Sequence, residues 1–332
     1  MLAVIVALGS GAARQAEPEP KLSPPATICN NPVLDDKAFC LPERADRLLR
    51  SGRFDILQNR KPKSGTSGAR ILFLGYPDDH LVIKAKWKAS AKGGHAFNND
   101  PRREIAAYRA QSLFLEPEEF VVPPTIGRCI PTASLIEKVG PAAETFEGAP
   151  CVFGVLAYWL TNVNSEHVFD ASRFNSDSAY RQSVANMNLL TYLIDHRDTR
   201  PSNFLISTDP GHPRTFAIDN GLAFSGYRNP LAYFTKTNWA RIIVPELPRK
   251  QVERLRKLTR RDLDTLLTVA QYSVTPDGLV EVPPTSAFSK SSGVRREGDV
   301  IQFGLTRREV DGIAARLKAL LEKVDRGKIK VF

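Results

Sequence analysis

The chain has 332 residues, 42% of them hydrophobic, 25% charged and 8% aromatic, a balance that excludes a wholly disordered, collagen-like or coiled-coil protein. That length provides for about two domains, or one two-part unit with a sizeable core. Lys and Arg number 46 against 36 Asp and Glu, a net +10, which suits phosphates, acidic proteins, polyanionic glycans or a membrane surface without choosing among them.

Residues 1–8 are apolar and 9–13 are small. They resemble the end of a secretory signal peptide that lacks its basic start; the competing reading is a short buried strand. A Pro-rich polar stretch follows, so 1–26 is read as an export-like segment and linker. No apolar run reaches membrane-spanning length, and no transmembrane segment is expected. The four cysteines, Cys29, Cys40, Cys129 and Cys151, form no CxxC and have no His at zinc-finger spacing. An even number beside an export-like start favours two disulfides, and proximity favours Cys29–Cys40 and Cys129–Cys151; four reduced, buried thiols are the alternative. Export to a secreted or periplasmic location is the expectation, with the cytoplasm the alternative if the start is not a clipped signal.

From residue 54 the pattern is β-like. Runs at 54–58 and 70–74 flank a loop containing Gly65-Thr66-Ser67-Gly68, a turn occupies 76–79, and 81–87 alternates as a third strand. Asp100-Pro101 then opens a helix to about Leu115, with Asp as cap and Pro in the first turn. Residues 121–128 are extended, and 134–139 is read as another strand. Beyond these the chain is expected to be mainly helical. Tyr180, Val184, Met187, Thr191 and Ile194 recur three or four residues apart, the period of a buried helix. Thr259 with Asp262, and Thr306 with Glu309, make two capping boxes.

Directly after the buried helix comes His196-Arg197-Asp198-Thr199-Arg200-Pro201-Ser202-Asn203, which fits the kinase catalytic-loop pattern H-R-D-x-x-x-x-N. Strands at 204–207 and 215–218 follow, and then Asp219-Asn220-Gly221, a variant of D-F-G. If 203–207 pairs with 215–219, Asn203 sits opposite Asp219, and an amide and a carboxylate oxygen converge as a hard cation bridging phosphates requires. Asp198 is left to orient or deprotonate an attacking hydroxyl. Upstream, Lys84 on the third strand would hold phosphates and Glu104 on the next helix would pair with it. Gly65 and Gly68 would let their loop approach a nucleotide. Each piece alone is ordinary; Lys84, for instance, shares its face with Lys86 and Lys88. The order of the pieces carries the reading. His196 is expected to be structural.

The segment 193–206 resembles the catalytic loop of phosphatidylinositol 3/4-kinase-like proteins. Glu104-Ile105-Ala106-Ala107-Tyr108, the later Val122-Pro123-Pro124 with Gly127-Arg128, and Asp219-Asn220-Gly221 with Phe224 resemble the secretory-pathway (Golgi casein) kinases more closely. Asn203 stands where that branch tends to carry Glu. The resemblance covers about 54–226. It implies an α+β, bilobal protein-kinase-like fold: a small β-rich N-lobe over 27–137 and a larger helical C-lobe over 138–332, with adenine near 136–139. It implies an ATP-dependent phosphotransferase using Mg²⁺ or Mn²⁺, with Asp198 the catalytic Asp, Asn203 and Asp219 the metal ligands, and Lys84 the phosphate lysine paired with Glu104. The expected acceptor is a hydroxyl on an acidic protein or glycan; a lipid or small-molecule kinase and a non-catalytic pseudokinase are the alternatives. No base-stacking module accompanies the basic residues, so no nucleic-acid partner is expected. A basic cluster, Arg249, Lys250, Arg254, Arg256, Lys257, Arg260, Arg261, Arg295, Arg296, Arg307 and Arg308, is expected partly to border the acceptor groove.

Overall fold

The computed structural model describes residues 42–62, 68–96, 99–198, 200–209, 211–225 and 237–332, with the backbone of Thr27–Ile28. The export-like segment, Gly65 and the Cys29–Cys40 pair lie outside the described side chains. The fold is α+β, and its first half is built around one sheet. Helix α1 (Pro42–Ser51) leads into β1 (Asp55–Arg60), β2 (Arg70–Tyr76) and β3 (Leu81–Ala89). Helix α2 (Pro101–Gln111), β4 (Thr125–Pro131), α3 (Thr132–Lys138) and β5 (Cys151–Tyr158) complete it. The order across the sheet is β1-β2-β3-β5-β4 with every neighbour antiparallel; Thr27–Ile28 lies parallel to the start of β3.

Alternation on β3 explains the arrangement of its side chains. Leu81, Ile83, Ala85 and Trp87 are buried in the core shared with α1 and α3, so Lys84, Lys86 and Lys88 fall on the opposite face. Residues 134–139, expected to be a strand, lie mostly in α3. A short apolar run has no period long enough to separate the two conformations. In consequence the sheet continues past the expected boundary at 137 and takes in β5 as an inner strand.

The second half centres on α5 (Ser178–Leu193), preceded by β6 (Val163–Asn164) and α4 (Ala171–Ser176). The expected buried helix is present: Tyr180, Val184, Met187, Leu190 and Ile194 are essentially inaccessible, and Asp177 accepts the Tyr180 amide as N-cap. After it come β7 (Phe204–Ser207), β8 (Thr215–Ala217), a short β9 (Glu246–Leu247), α6 (Arg249–Lys257) and α7 (Arg260–Asp264). Both expected capping boxes are formed.

This half is not simply helical. Strands β10 (Ala270–Thr275), β11 (Gly278–Val282), β12 (Val294–Glu297) and β13 (Val300–Phe303) form a second sheet before the long α8 (Arg307–Asp325); β14 (Lys330–Val331) ends the chain beside β9. An aromatic cluster of Phe146, Phe153, Tyr272 and Phe303 joins the two sheets. Phe153 stacks on Phe303 at 4.4 Å, and Tyr272 donates its hydroxyl proton to the Gly127 carbonyl at 2.9 Å. The Cys129–Cys151 disulfide, expected from sequence, links β4 to β5. Among the described residues no helix is long and apolar enough to cross a membrane.

Candidate active site

The loop after α5 is shaped by local strain and burial. Ile194 caps the helix, and Asp195 turns into the left-handed region at φ 53°, which costs on the order of 1 kcal/mol for a residue with a Cβ. Arg197 donates to its carboxylate at 2.8 Å. His196 is buried, faces the Ile218 carbonyl through Nε2 at 3.4 Å and packs on Phe204, which stacks on Trp239. Burial pushes its imidazole below the ordinary value, so it is neutral at pH 7. Its contacts link the Asp198 loop to the segment that delivers Asp219.

Asp198 is buried and held by Arg200 through two parallel bonds of 2.9 and 2.7 Å. Asn203 closes the loop: its amide nitrogen donates to the Asp198 carbonyl at 3.1 Å, and its own carbonyl accepts the Ile218 amide at 2.9 Å. The hairpin register therefore differs by one residue from that expected. Phe204 pairs with Ala217, which places Asn203 beside Ile218 and not opposite Asp219. The reason is backbone conformation: Asp219 adopts φ 58°, ψ 50° and leaves the strand to open a short helical turn over Asn220–Leu222.

That departure turns Asp219 toward β3. Lys86 Nζ donates to Asp219 Oδ1 at 3.0 Å and lies 3.9 Å from Glu104 Oε1. Lys88 Nζ lies 3.6 Å from the same Glu104 oxygen and 3.8 Å from Asp219 Oδ1. Two ammonium groups thus share two carboxylates. Burial works against ionisation of Lys86, but Glu104 and Asp219 outweigh it and hold its pKa above the usual lysine range. Burial likewise opposes the Asp219 carboxylate, yet Lys86, Lys88 and Arg200 hold its pKa down at about 2. The lysines at Glu104 are thus Lys86 and Lys88. Lys84 lies two residues earlier on the same face, with Nζ 5.5 Å from the centre of the Phe73 ring. Gly68 is exposed at φ 70°, as a glycine-requiring loop end.

The oxygen donors suit a hard divalent cation. A carboxylate with an amide oxygen, as Asp219 and Asn203 provide, is the donor type such ions take. Among the described residues no three His, Cys, Asp or Glu side chains gather as a self-sufficient metal cage, so most ligands would come from phosphates and water. Sequence reasoning does not single out Arg200 or the Lys86/Lys88 pair. The signals are nevertheless there: an arginine two residues after the loop Asp, and lysines at alternate positions on one strand.

A cleft of about 960 Å³ opens beside the loop, lined by Arg103, Asp195, Phe224, Lys290, Arg308 and Arg316 among others. No protein-family model matches the chain, and no curated protein matches it significantly.

Proposed function

We propose that the chain is an ATP-dependent phosphotransferase with a bilobal, kinase-like fold. The observation that carries the reading is the convergence of Lys86, Glu104 and Asp219 within 3.0–3.9 Å. It is the lysine–glutamate–aspartate set, on the third strand, the next helix and the post-hairpin turn, that phosphoryl transfer uses. Asp198 and Asn203, joined by the 3.1 Å hydrogen bond, supply the remaining pair.

The roles follow from the chemistry of each group. Lys86 would bind phosphate oxygens, and Asp219 and Asn203 would supply oxygen ligands to Mg²⁺ or Mn²⁺, whose chemistry when bound is to neutralise phosphate charge. Asp198 orients the acceptor hydroxyl and takes its proton. Arg200 does not prevent this, because each carboxylate oxygen accepts more than one hydrogen bond. The adenine would lie by the segment that leaves β5, which the Trp159 amide ties to the Lys84 carbonyl, since the 136–139 stretch where the sequence expects it lies in and beside α3.

The acceptor is a protein hydroxyl with acidic neighbours, seated toward the basic cleft beside Asp195 and Phe224. The Cys129–Cys151 disulfide suits an exported protein in an oxidising compartment. The deciding experiment measures nucleotide binding, ATP hydrolysis and autophosphorylation with Mg²⁺ and Mn²⁺, offering acidic peptides, glycans and phosphoinositide vesicles as acceptors. Asp198→Asn should bind nucleotide and lose about 10²–10⁴ in rate. Wild-type turnover by that variant would refute the assignment, and turnover of vesicles alone would make the enzyme a lipid kinase.

A further inference from the structure

One lysine suffices to bridge a helix carboxylate and a nucleotide, yet two reach Glu104 here. They are not equivalent. The Lys88 side chain is 3% exposed and that of Glu104 4%, whereas Lys86 is 16% and Asp219 29% exposed. The inner pair is thus sealed and the outer pair opens to solvent. Lys88 is the nearer to Glu104, and Lys86 the nearer to Asp219. The packing around the inner pair is close: a Cβ on Gly221 would stand 3.6 Å from Glu104 Oε1 and 3.8 Å from Lys88 Nζ.

Nucleotide binding would disturb this arrangement. Phosphates draw an ammonium toward themselves, and a divalent cation draws Asp219 away from it. Lys86 already stands 3.9 Å from Glu104, so with Lys86 alone that movement would leave the buried carboxylate without a close counter-charge, and an unpaired buried carboxylate is strongly destabilising. A second, deeper ammonium removes the conflict. We propose that the two lysines have separate roles, Lys88 as the standing partner of Glu104 that fixes α2 against the sheet, and Lys86 as the group that exchanges Asp219 for the nucleotide phosphates. Lys88 is a positioning residue and Lys86 the catalytic one. This rests on the phosphotransferase reading.

The test compares Lys86→Met, Lys88→Met, Lys88→Arg and Lys88→Met/Glu104→Gln in the full chain, reading ATP affinity, kcat and Tm. Lys86→Met should weaken ATP binding and turnover together, by at least about 10²-fold in kcat/KM, and lower Tm less than Lys88→Met does, because the part-exposed Asp219 keeps Lys88 at 3.8 Å. Lys88→Met should lower Tm by several degrees and reduce kcat, with KM for ATP changed less than about threefold. Adding Glu104→Gln should restore Tm without restoring kcat, since an amide needs no counter-ion, and Lys88→Arg should recover part of both. If Lys88→Met itself does not fold, the double variant and Lys88→Arg still carry the comparison. Lys88→Met with wild-type Tm and kcat, or an ATP-affinity loss larger for Lys88→Met than for Lys86→Met, overturns the division of roles. A wild-type chain that binds no nucleotide overturns the phosphotransferase reading and the role of Lys86 with it. Nucleotide binding that Lys86→Met leaves intact overturns the division alone.

Discussion

Arg102 of α2 and Glu309 of α8 form a buried, two-pronged ion pair, with bonds of 2.6 and 3.1 Å, although they lie 207 residues apart. Glu309 is also the capping-box carboxylate of its own helix, accepting the Thr306 amide at 2.8 Å, and it takes Arg103 at 3.0 Å. Burial works to raise its pKa, but the Arg102 hydrogen bond and charge outweigh it and hold the carboxyl below its ordinary range. One side chain therefore starts the last helix and anchors the helix that presents Glu104.

Replacing Glu309 by Gln should keep an acceptor for the Thr306 cap while leaving Arg102 with only Asp100 as counter-charge. Removing one partner of a buried pair costs about 3 kcal/mol, and urea denaturation should show a loss of that size. Because α2 carries Glu104, kcat should fall as well. A variant with wild-type stability would mean that Asp100, 3.0 Å from Arg102, carries the pair alone.

The pH dependence of stability follows from Asp219. Its pKa is about 2 in the fold, below the value of about 3.9 for a free Asp side chain. The unfolded chain thus binds the proton first as pH falls. The stabilisation is fully present above about pH 4 and is lost as pH falls through about 2. A shift of this size is worth about 2 kcal/mol. Denaturation of the wild type and Asp219→Asn at pH 5, 3 and 2 should show a gap that closes with acid. A gap independent of pH would place the stabilisation elsewhere.

The Cys129–Cys151 bond closes a loop of 22 residues between adjacent strands. A loop of that length limits the unfolded chain by about 3 kcal/mol. Cys129→Ser/Cys151→Ser should lose stability of that order while keeping the spectrum of a folded chain. An unchanged Tm would mean that the aromatic cluster between the two sheets fixes β4 and β5 without help from the bond.

Much of the site was legible in sequence because it rests on short contiguous patterns. The Asp198–Asn203 loop, its hairpin and the turn at Asp219 each occupy a few neighbouring residues whose backbone chemistry is local. The identity of the lysines was not. Lys84, Lys86 and Lys88 share a face and stand about 7 Å apart along the strand, so only the placement of α2 against β3 decides which of them meets Glu104. The one-residue register difference has the same character, since it hinges on Asp219 taking a left-handed conformation that any Asp-Asn pair permits. The second sheet was not legible because its strands are four to six residues long and interrupt a stretch otherwise punctuated by helix caps. What seals that sheet in place, the stacked Phe153 and Phe303, joins residues far apart in the chain.

The basic residues give the last prediction. Five of the eleven basic residues seen in sequence serve the fold: Arg254 pairs with Glu116, Arg256 with Asp325, Arg260 and Arg307 with Asp264, and buried Arg295 donates to the Leu267 and Leu305 carbonyls. Arg308 is exposed and, with Lys290, borders the cleft beside Asp195 and Phe224. On the phosphotransferase reading, exposed cations on this cleft wall would attract an acidic acceptor before it reaches Asp198. Arg308→Glu/Lys290→Glu should therefore raise KM for an acidic peptide about tenfold and leave its kcat within about twofold, the signature of lost binding that is equal in ground and transition states. The difference from wild type should shrink as salt rises, because the screening length falls from about 8 Å at physiological ionic strength to about 3 Å at 1 M. Equal KM for wild type and variant at low salt would remove this cleft from the acceptor's path.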